Sequence, residues 1–233
     1  YLIHPTGFSL NHQAIMEFEN KTNTVPSFRL ETDGFAHYSP QCPTLDEIVI
    51  PANSRLVLES SLILTGATQL TMNDNVTLEI QGSFSLSEGA NLFVPTTTTI
   101  TVHGDLIIEP NSTVDFAAGS TTTIDGNFDL QPTSKAILHP AATVTTHDLA
   151  VESNSSLTME DNATLLVLGS STTQAEAHVS MAPSATFSIT GAANLGGQLS
   201  VLFGDLRNLT TDQSVPDLIQ YGEHKGQFDG VVI

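Results

Sequence analysis

The chain has 233 residues, and its 6 lysines and arginines stand against 25 aspartates and glutamates, for a formal net charge of −19. Such an acidic surface repels nucleic-acid phosphates and anionic lipid, so we expect neither as a partner. Apolar residues make up 39% of the chain, too large a fraction for a disordered composition, and no apolar run is long enough for membrane insertion as a helix.

Residues 1–53 are rich in proline and carry little of the repeat that fills the rest of the chain. Only Ile48-x-Ile50 fits that repeat, so we expect a lead-in coil and an irregular cap with a few strands. The segment also contains Cys42, the only cysteine of the chain. A disulfide framework within the chain and a four-cysteine zinc site are therefore excluded.

Residues 54–206 contain apolar pairs that recur at a nearly constant step. Leu62-x-Leu64, Phe84-x-Leu86, Leu106-x-Ile108 and Phe128-x-Leu130 follow one another every 22 residues, and Leu149-x-Val151 follows after 21. Two further families of pairs keep the same step, and Leu92, Val114 and Leu157 belong to one of them. Apolar alternation with a period of two indicates short strands with one buried face, and its recurrence indicates stacked coils.

The fold predicted from this repeat is an all-β parallel β-solenoid with three short strands per coil and about seven 22-residue coils. We expect right-handed winding, because coils of the left-handed hexapeptide type are shorter. The predicted core includes one residue from each pair: Leu62, Phe84, Leu92, Leu106, Val114, Phe128, Leu149 and Leu157. Gly82, Gly104 and Gly126 share the 22-residue spacing, which predicts a recurrent tight corner.

Residues 207–233 are predicted to form a closing coil, a cap or a contact for polymerisation. Gly197-x-Leu199-x-Val201, Tyr221-Gly222 and Gly226-x-Phe228 resemble the closing coils of bacterial autotransporter-type β-helix passengers and related surface adhesins. That resemblance implies an extracellular solenoid. Both ends of the chain are apolar, so we expect end-to-end self-association, which would produce a filament or another homo-oligomer.

Asn-x-Ser/Thr motifs are more frequent than chance predicts. They begin at Asn20, Asn75, Asn111, Asn154, Asn162 and Asn208. Their number favours an N-glycosylated protein of the secretory pathway, located outside the cell or on its surface. A chain rich in serine and threonine would also form some of these motifs by accident.

One predicted outward position carries a ladder of threonines. Its members are Thr77, Thr99, Thr121, Thr143, Thr164 and Thr186. Thr-x-Thr on three successive coils is a pattern of ice-binding solenoids, but threonine also simply suits solvent-facing strands, and we prefer this second interpretation. The rows of outward threonines are interrupted by Arg55, Glu79 and Leu166.

Another outward column contains His103, Asp125 and His147, a residue set that could bind a divalent metal. We prefer solvated polar residues to a metal site, and we expect no cofactor. Enzymatic activity is not expected either, because Arg55 and Lys135 are the only cations within the coils and lie nearly four coils apart. No nucleophile elbow or phosphate-binding loop is present.

These features predict a non-enzymatic extracellular protein, a glycosylated rod-like subunit of a surface coat, appendage or filament that assembles through the solenoid ends. A cell-surface adhesin or glycan-binding module is the alternative. An ice-binding protein and a polysaccharide-active enzyme are weaker alternatives. Expected partners are copies of the same chain, other extracellular proteins or glycans.

Overall fold

The computed structural model describes residues 8–10, 15–19, 27–30, 35–39, 47–50, 52–58, 61–66, 69–201, 219–226 and 230–232. These residues contain 25 β-strands and no helix. The first strands are β1 (Phe8–Leu10), β2 (Ile15–Glu19), β3 (Ser27–Leu30), β4 (Phe35–Ser39), β5 (Glu47–Ile50), β6 (Arg55–Leu58), β7 (Leu62–Leu64), β8 (Gln69–Met72), β9 (Thr77–Ile80), β10 (Phe84–Leu86), β11 (Asn91–Val94), β12 (Thr99–Val102), β13 (Leu106–Ile108) and β14 (Thr113–Phe116). The remaining strands are β15 (Thr121–Leu130), β16 (Lys135–Leu138), β17 (Thr143–Val151), β18 (Ser156–Met159), β19 (Thr164–Val167), β20 (Ser171–Thr173), β21 (His178–Met181), β22 (Thr186–Leu195), β23 (Gln198–Val201), β24 (Ile219–Gly226) and β25 (Gly230–Val232).

Each strand pairs in parallel with its equivalent in the next coil. In the middle of the chain the paired residues are 22 apart, as for Phe84 and Leu106 or Leu92 and Val114. The fold is therefore the all-β parallel β-solenoid that the repeat predicted. The third sheet, in the order β11-β14-β16-β18-β21-β23-β25, has seven strands and so spans six turns of the chain.

Each coil has three faces. We call the column of β6, β9, β12, β19 and the first halves of β15, β17 and β22 the threonine face. The second face contains β7, β10, β13, β20 and the second halves of those three long strands. The third face contains the seven strands from β11 to β25. The eight residues predicted as core line the interior between these faces, and each is at most 2% exposed.

The inward threonines Thr122 and Thr146 are also buried, at 1% and 0% exposure. The hydroxyl of Thr146 donates to the backbone oxygens of Gly126 and Asp148, at 3.0 and 2.9 Å. Hydrogen bonds of this kind offset the cost of placing a hydroxyl in an apolar interior. Thr146 therefore ties two coils together at a position where a purely apolar pattern would predict valine.

Parallel pairing extends into both flanking segments. Strands β1, β3 and β5 pair with a step of 20, since Phe8 aligns with Phe28 and Phe28 with Ile48. The described strands of the predicted irregular cap thus continue the stack with shorter coils. At the other end β24 pairs with β22 and β25 pairs with β23, with Leu199 aligned to Val231.

The glycine corner, between the threonine face and the second face, contains Gly82, Gly104 and Gly126. A Cβ atom on Gly104 would lie 2.8 Å from the carbonyl carbon of Gly82, and one on Gly126 would lie 2.8 Å from the carbonyl carbon of Gly104. The backbones of successive coils therefore approach too closely here for any side chain. This contact is the physical reason for the 22-residue glycine spacing.

The single 21-residue step has a local cause at the same corner. Strand β15 has Asp125 and Gly126 between the paired residues Ile124 and Asn127, whereas β17 has only His147 at this position. Two residues thus oppose one, which is the geometry of a β-bulge. The coil that is one residue shorter has no glycine at this corner, and the inward alternation resumes unchanged at Leu149.

The other two corners place residues in the left-handed backbone conformation, usually one in each coil and two at Glu88 and Gly89. The first asparagine corner, between the third face and the threonine face, has positive φ at Asn53, Asn75, Thr97, Gly119, Ala141 and Asn162. The second asparagine corner, between the second and third faces, has positive φ at Gly89, Asn111, Thr133, Asn154 and Glu176. Glycine and asparagine tolerate this conformation, and residues such as alanine and threonine are strained in it.

Substitution of Phe128 tests how much the core contributes to stability. Phe128 is fully buried and packs edge-on against Phe116, with the ring centroids 6.3 Å apart. We expect Phe128→Ala to lower the free energy of unfolding by about 3–5 kcal/mol, because it leaves a cavity between coils. Phe93→Ala is the matched control, since Phe93 is 54% exposed and its loss should cost about 0.5 kcal/mol or less. Urea denaturation measures both, and equal losses would contradict the predicted interior.

Substitution of Ala141 tests the backbone strain at the first asparagine corner. The φ of 60° at Ala141 strains an alanine but not a glycine. We expect Ala141→Gly to stabilise the protein by about 0.5–1 kcal/mol. The neighbouring Ala142 is fully buried, and Ala142→Gly should instead destabilise the protein, because it removes a packed methyl group. Thermal denaturation of the two variants should show melting temperatures shifted in opposite directions.

Candidate functional site

The threonine face presents an in-register ladder of hydroxyls. Backbone pairing aligns each predicted ladder threonine with the next, from Thr77 through Thr99, Thr121, Thr143 and Thr164 to Thr186. Their side chains are exposed or half-buried. Arg55 precedes Thr77 in the same column, and Leu166 lies beside Thr145 in the neighbouring column. The Thr-x-Thr pattern itself is limited to three coils.

A polar ladder crosses one edge of this face. The guanidinium of Arg55 lies 2.6 Å from Glu79, and His103 lies 3.4 Å from Glu79 and 2.7 Å from Asp125. The hydrogen bond from Arg55 lowers the pKa of Glu79, and the hydrogen bond to Asp125 raises the pKa of His103. The ladder thus links four successive coils with alternating charge, which favours their alignment when His103 is protonated.

The column of His103, Asp125 and His147 does not converge on one point. His103 contacts Asp125, whereas Nδ1 of His147 lies 3.0 Å from Asp148 on its own coil. No group of three histidines, cysteines, aspartates or glutamates in the described part of the chain could hold a metal ion. The three residues that the sequence placed in one column therefore belong to two separate contacts, His103 with Asp125 and His147 with Asp148.

A second histidine, His139, contacts carboxylates of two neighbouring coils beside the third face, and we call this group the histidine clamp. The sequence pattern did not reveal it. Nε2 of His139 is 2.8 Å from Asp115, and Nδ1 is 2.8 Å from Glu160. The hydrogen bond to Glu160, and secondly the charge of Asp115, raise the pKa of His139 against the opposing effect of burial. The 21-residue spacing of His139 and Glu160 was the available signal, because it places them at equivalent positions of adjacent coils.

A shallow groove on the second face contains Asp129, whose carboxyl group is partly desolvated. The groove is lined by Asn127, Asp129, Asp148, Leu149, Ala150, Ser170 and Thr172. Burial raises the pKa of Asp129, whereas the backbone N–H of Ser170 lowers the pKa of Asp148. Arg55 lies on the threonine face and Lys135 on the third face, so neither cation converges with this groove. The groove therefore presents carboxylates, an amide and hydroxyls, and neither Arg55 nor Lys135 lies beside it.

Four of the predicted glycosylation residues lie at corners of the solenoid. Asn75 and Asn162 belong to the first asparagine corner, and Asn111 and Asn154 to the second. All four side chains are exposed. Asn20, Asn208 and Cys42 lie outside the described residues.

The C-terminal end of the solenoid presents strand edges. Among the described residues, β25 pairs only with β23, and β24 pairs only with β22. Their other edges carry backbone groups that could pair with a further strand. A strand edge of this kind can accept an additional parallel strand without any change in the geometry of the existing sheet.

Within the described ranges, no helix is long and apolar enough to cross a membrane.

A family of discoidin-inducing complex subunits, the B type, matches residues 43–221, more than half of the chain. The chain belongs to this family. The match corrects the resemblance inferred from the C-terminal motifs, because the matching family is not one of autotransporter-type repeats; what remains of that resemblance is the solenoid itself. No curated protein matches the chain, and no solved structure matches it either.

His139 gives the histidine clamp a measurable pH dependence. Because its pKa is raised above the ordinary value of 6.5, its stabilising contribution is complete below about pH 6.5 and is lost as the pH rises through the raised pKa. We expect His139→Gln to lower the urea midpoint more at about pH 6 than at about pH 9. His178→Gln is the control, because the imidazole of His178 contacts the amide of Gln198 rather than a carboxylate. Equal losses for His139→Gln at the two pH values would contradict the clamp.

Proposed function

We propose that the chain is a non-enzymatic structural subunit of a secreted protein complex, and that it contacts its neighbours through the ends of the solenoid. The observation that carries this proposal is the pair of terminal strands, β24 and β25, each with one described neighbour. The description of the family as a complex subunit supports a role in assembly. The Asn-x-Ser/Thr motifs support an extracellular location.

The charge distribution favours contact at the ends over contact at the sides. The net charge is −19, and acidic side chains of the described coils, such as Asp115, Asp125 and Glu160, lie on the sides of the solenoid. Two solenoids that approach side by side bring these like charges together, whereas end-on approach pairs backbone amides with carbonyls. Because each terminal strand runs parallel to those beneath it, end-on contact continues the existing sheets. A contact of this heterologous type adds subunits in one direction and yields a rod or a mixed complex.

A glycan-binding module is the second candidate function, and the groove beside Asp129 favours it. Carboxylates, amides and hydroxyls at its surface form hydrogen bonds with sugar hydroxyl groups. Retention of the monomeric protein on a glycan array, abolished by Asp129→Ala, would support this function instead.

Proline substitution at the terminal strand tests assembly through the ends. Adjacent amides of a strand point to opposite edges, so one of Val231 and Val232 directs its N–H to the open edge of β25. We expect one of Val231→Pro and Val232→Pro to shift the secreted protein from large species to monomers in sedimentation velocity, since proline removes the donor.

Thr121→Asp is the control on the side of the solenoid, because Thr121 is exposed in the middle of the threonine face. This variant should sediment like the unmodified protein, and circular dichroism should show unchanged β-structure in all three variants. A chain that is monomeric at every concentration and isolated without partner proteins would contradict the proposed function.

A further inference from the structure

The four described asparagines of the Asn-x-Ser/Thr motifs share one backbone conformation. Their φ angles are 59° at Asn75, 64° at Asn111, 61° at Asn154 and 58° at Asn162. Asparagine adopts this left-handed conformation more readily than other residues with a Cβ atom, apart from aspartate and histidine. The corners therefore favour asparagine for a reason that is independent of any modification.

The two following residues of each motif also have defined positions. The middle residue is small or medium-sized and points into the interior, as for Ser112 and Ser155, which are both 0% exposed. The third residue begins the next strand with an outward hydroxyl, as Thr113 does in β14 and Ser156 in β18. A corner of this solenoid thus produces the glycosylation motif when asparagine occupies its left-handed position and serine or threonine begins the next strand. Asn53 has the same conformation but is followed by Ser54 and Arg55, so its corner lacks the motif.

The side chains at these positions project away from the core. Asn75 Nδ2 donates to Asn53 Oδ1 at 2.7 Å, and Asn154 Nδ2 donates to Glu176 Oε2 at 3.3 Å. Both contacts run along the outside of a corner, between exposed residues. Because these partners are exposed side chains, a substituent on Nδ2 displaces surface hydrogen bonds and no core contact.

We propose that Asn75, Asn111, Asn154 and Asn162 carry N-linked glycans, which form two lines along the asparagine corners. In the transfer, Nδ2 forms a bond to the anomeric carbon of a lipid-diphosphate oligosaccharide. The bond between that carbon and the diphosphate oxygen breaks, the lipid diphosphate leaves with the electron pair, and the amide proton passes to solvent. The transfer is neither an oxidation nor a reduction.

These glycans border the third face on both sides, because the two asparagine corners are its two edges. The remaining glycine corner carries Asp105, Asp125 and Asp148 in place of described motif asparagines. Glycan bulk at two corners and negative charge at the third therefore oppose contact between the sides of two solenoids. This consequence rests on the proposed function, since it leaves the ends as the surfaces for assembly.

Mass spectrometry of the full chain secreted from eukaryotic cells tests the four sites peptide by peptide. We expect each of the four motif peptides to carry a glycan and Thr113→Val to lose the glycan on Asn111. Thr99→Val is the matched control. Thr99 begins β12 after a corner with positive φ at Thr97, but that corner lacks an asparagine, so the control should lose no glycan mass. Four peptides at their unmodified mass would overturn the proposal.

Two further variants separate the glycan from the conformational role of asparagine. Asn111→Gly keeps a residue suited to positive φ and should lose one glycan without lowering the melting temperature through backbone strain. Ala141→Asn completes a motif with Thr143 at an equivalent corner position and should gain one glycan, whereas Ala141→Gly should not. A glycosylated Asn111 in Thr113→Val would contradict the requirement for the motif hydroxyl. No gain for Ala141→Asn would contradict corner accessibility as the determinant.

The failure of this inference differs from the failure of the proposed function. Glycan occupancy is read from peptides and does not depend on assembly. Replacement of all four motif hydroxyls, as Thr77→Val, Thr113→Val, Ser156→Ala and Thr164→Val together, should shift the protein to larger, salt-sensitive species in sedimentation velocity. Occupied sites on a chain that never assembles would reject the proposed function and keep the glycans. Unmodified sites on a chain that assembles would reject the glycans and keep the proposed function.

Discussion

Stacking of coils in register is the constraint on which the rest of this structure depends. A single coil cannot bury its own inner face, because its three short strands have no partner strands within the coil. Only the coils above and below supply hydrogen bonds to its backbone and apolar neighbours to residues such as Phe128 and Leu106. A register error of one residue would turn every inward side chain to solvent, so each corner must return the chain to the same phase.

The three corners meet this requirement in two different ways. At the glycine corner, successive backbones approach so closely that Gly104 and Gly126 leave no space for a Cβ atom. At the asparagine corners, one residue reverses the chain by adopting positive φ, as Asn111 and Asn154 do. The bulge opposite His147 shows that a coil can lose one corner residue while the strands on both sides keep their phase.

The surface chemistry follows from the same stacking. Residues that are 21 to 24 apart in sequence become neighbours on the outside, which creates the contacts of His139 with Asp115 and Glu160 and of His103 with Glu79 and Asp125. These contacts join adjacent coils and add a pH-dependent component to stability. The chemistry of the described sides is thus acidic and polar.

The sequence by itself determined the parallel solenoid, the inward residues and the alignment of the threonines, because a repeat of constant length puts equivalent residues in equivalent positions whatever the details of the corners. Apart from the Ile48-x-Ile50 pair, it did not reveal the parallel strands of the N-terminal segment, those within residues 8–39, whose step of 20 departs from the main period. Only the tertiary structure decided which polar groups meet, since the direction of a side chain such as His147 depends on local backbone geometry and not on its position in the repeat. Likewise, the left-handed conformation of Ala141 and Asn162 arises from the path of the folded chain around a corner, a feature that alternation of apolar residues does not encode.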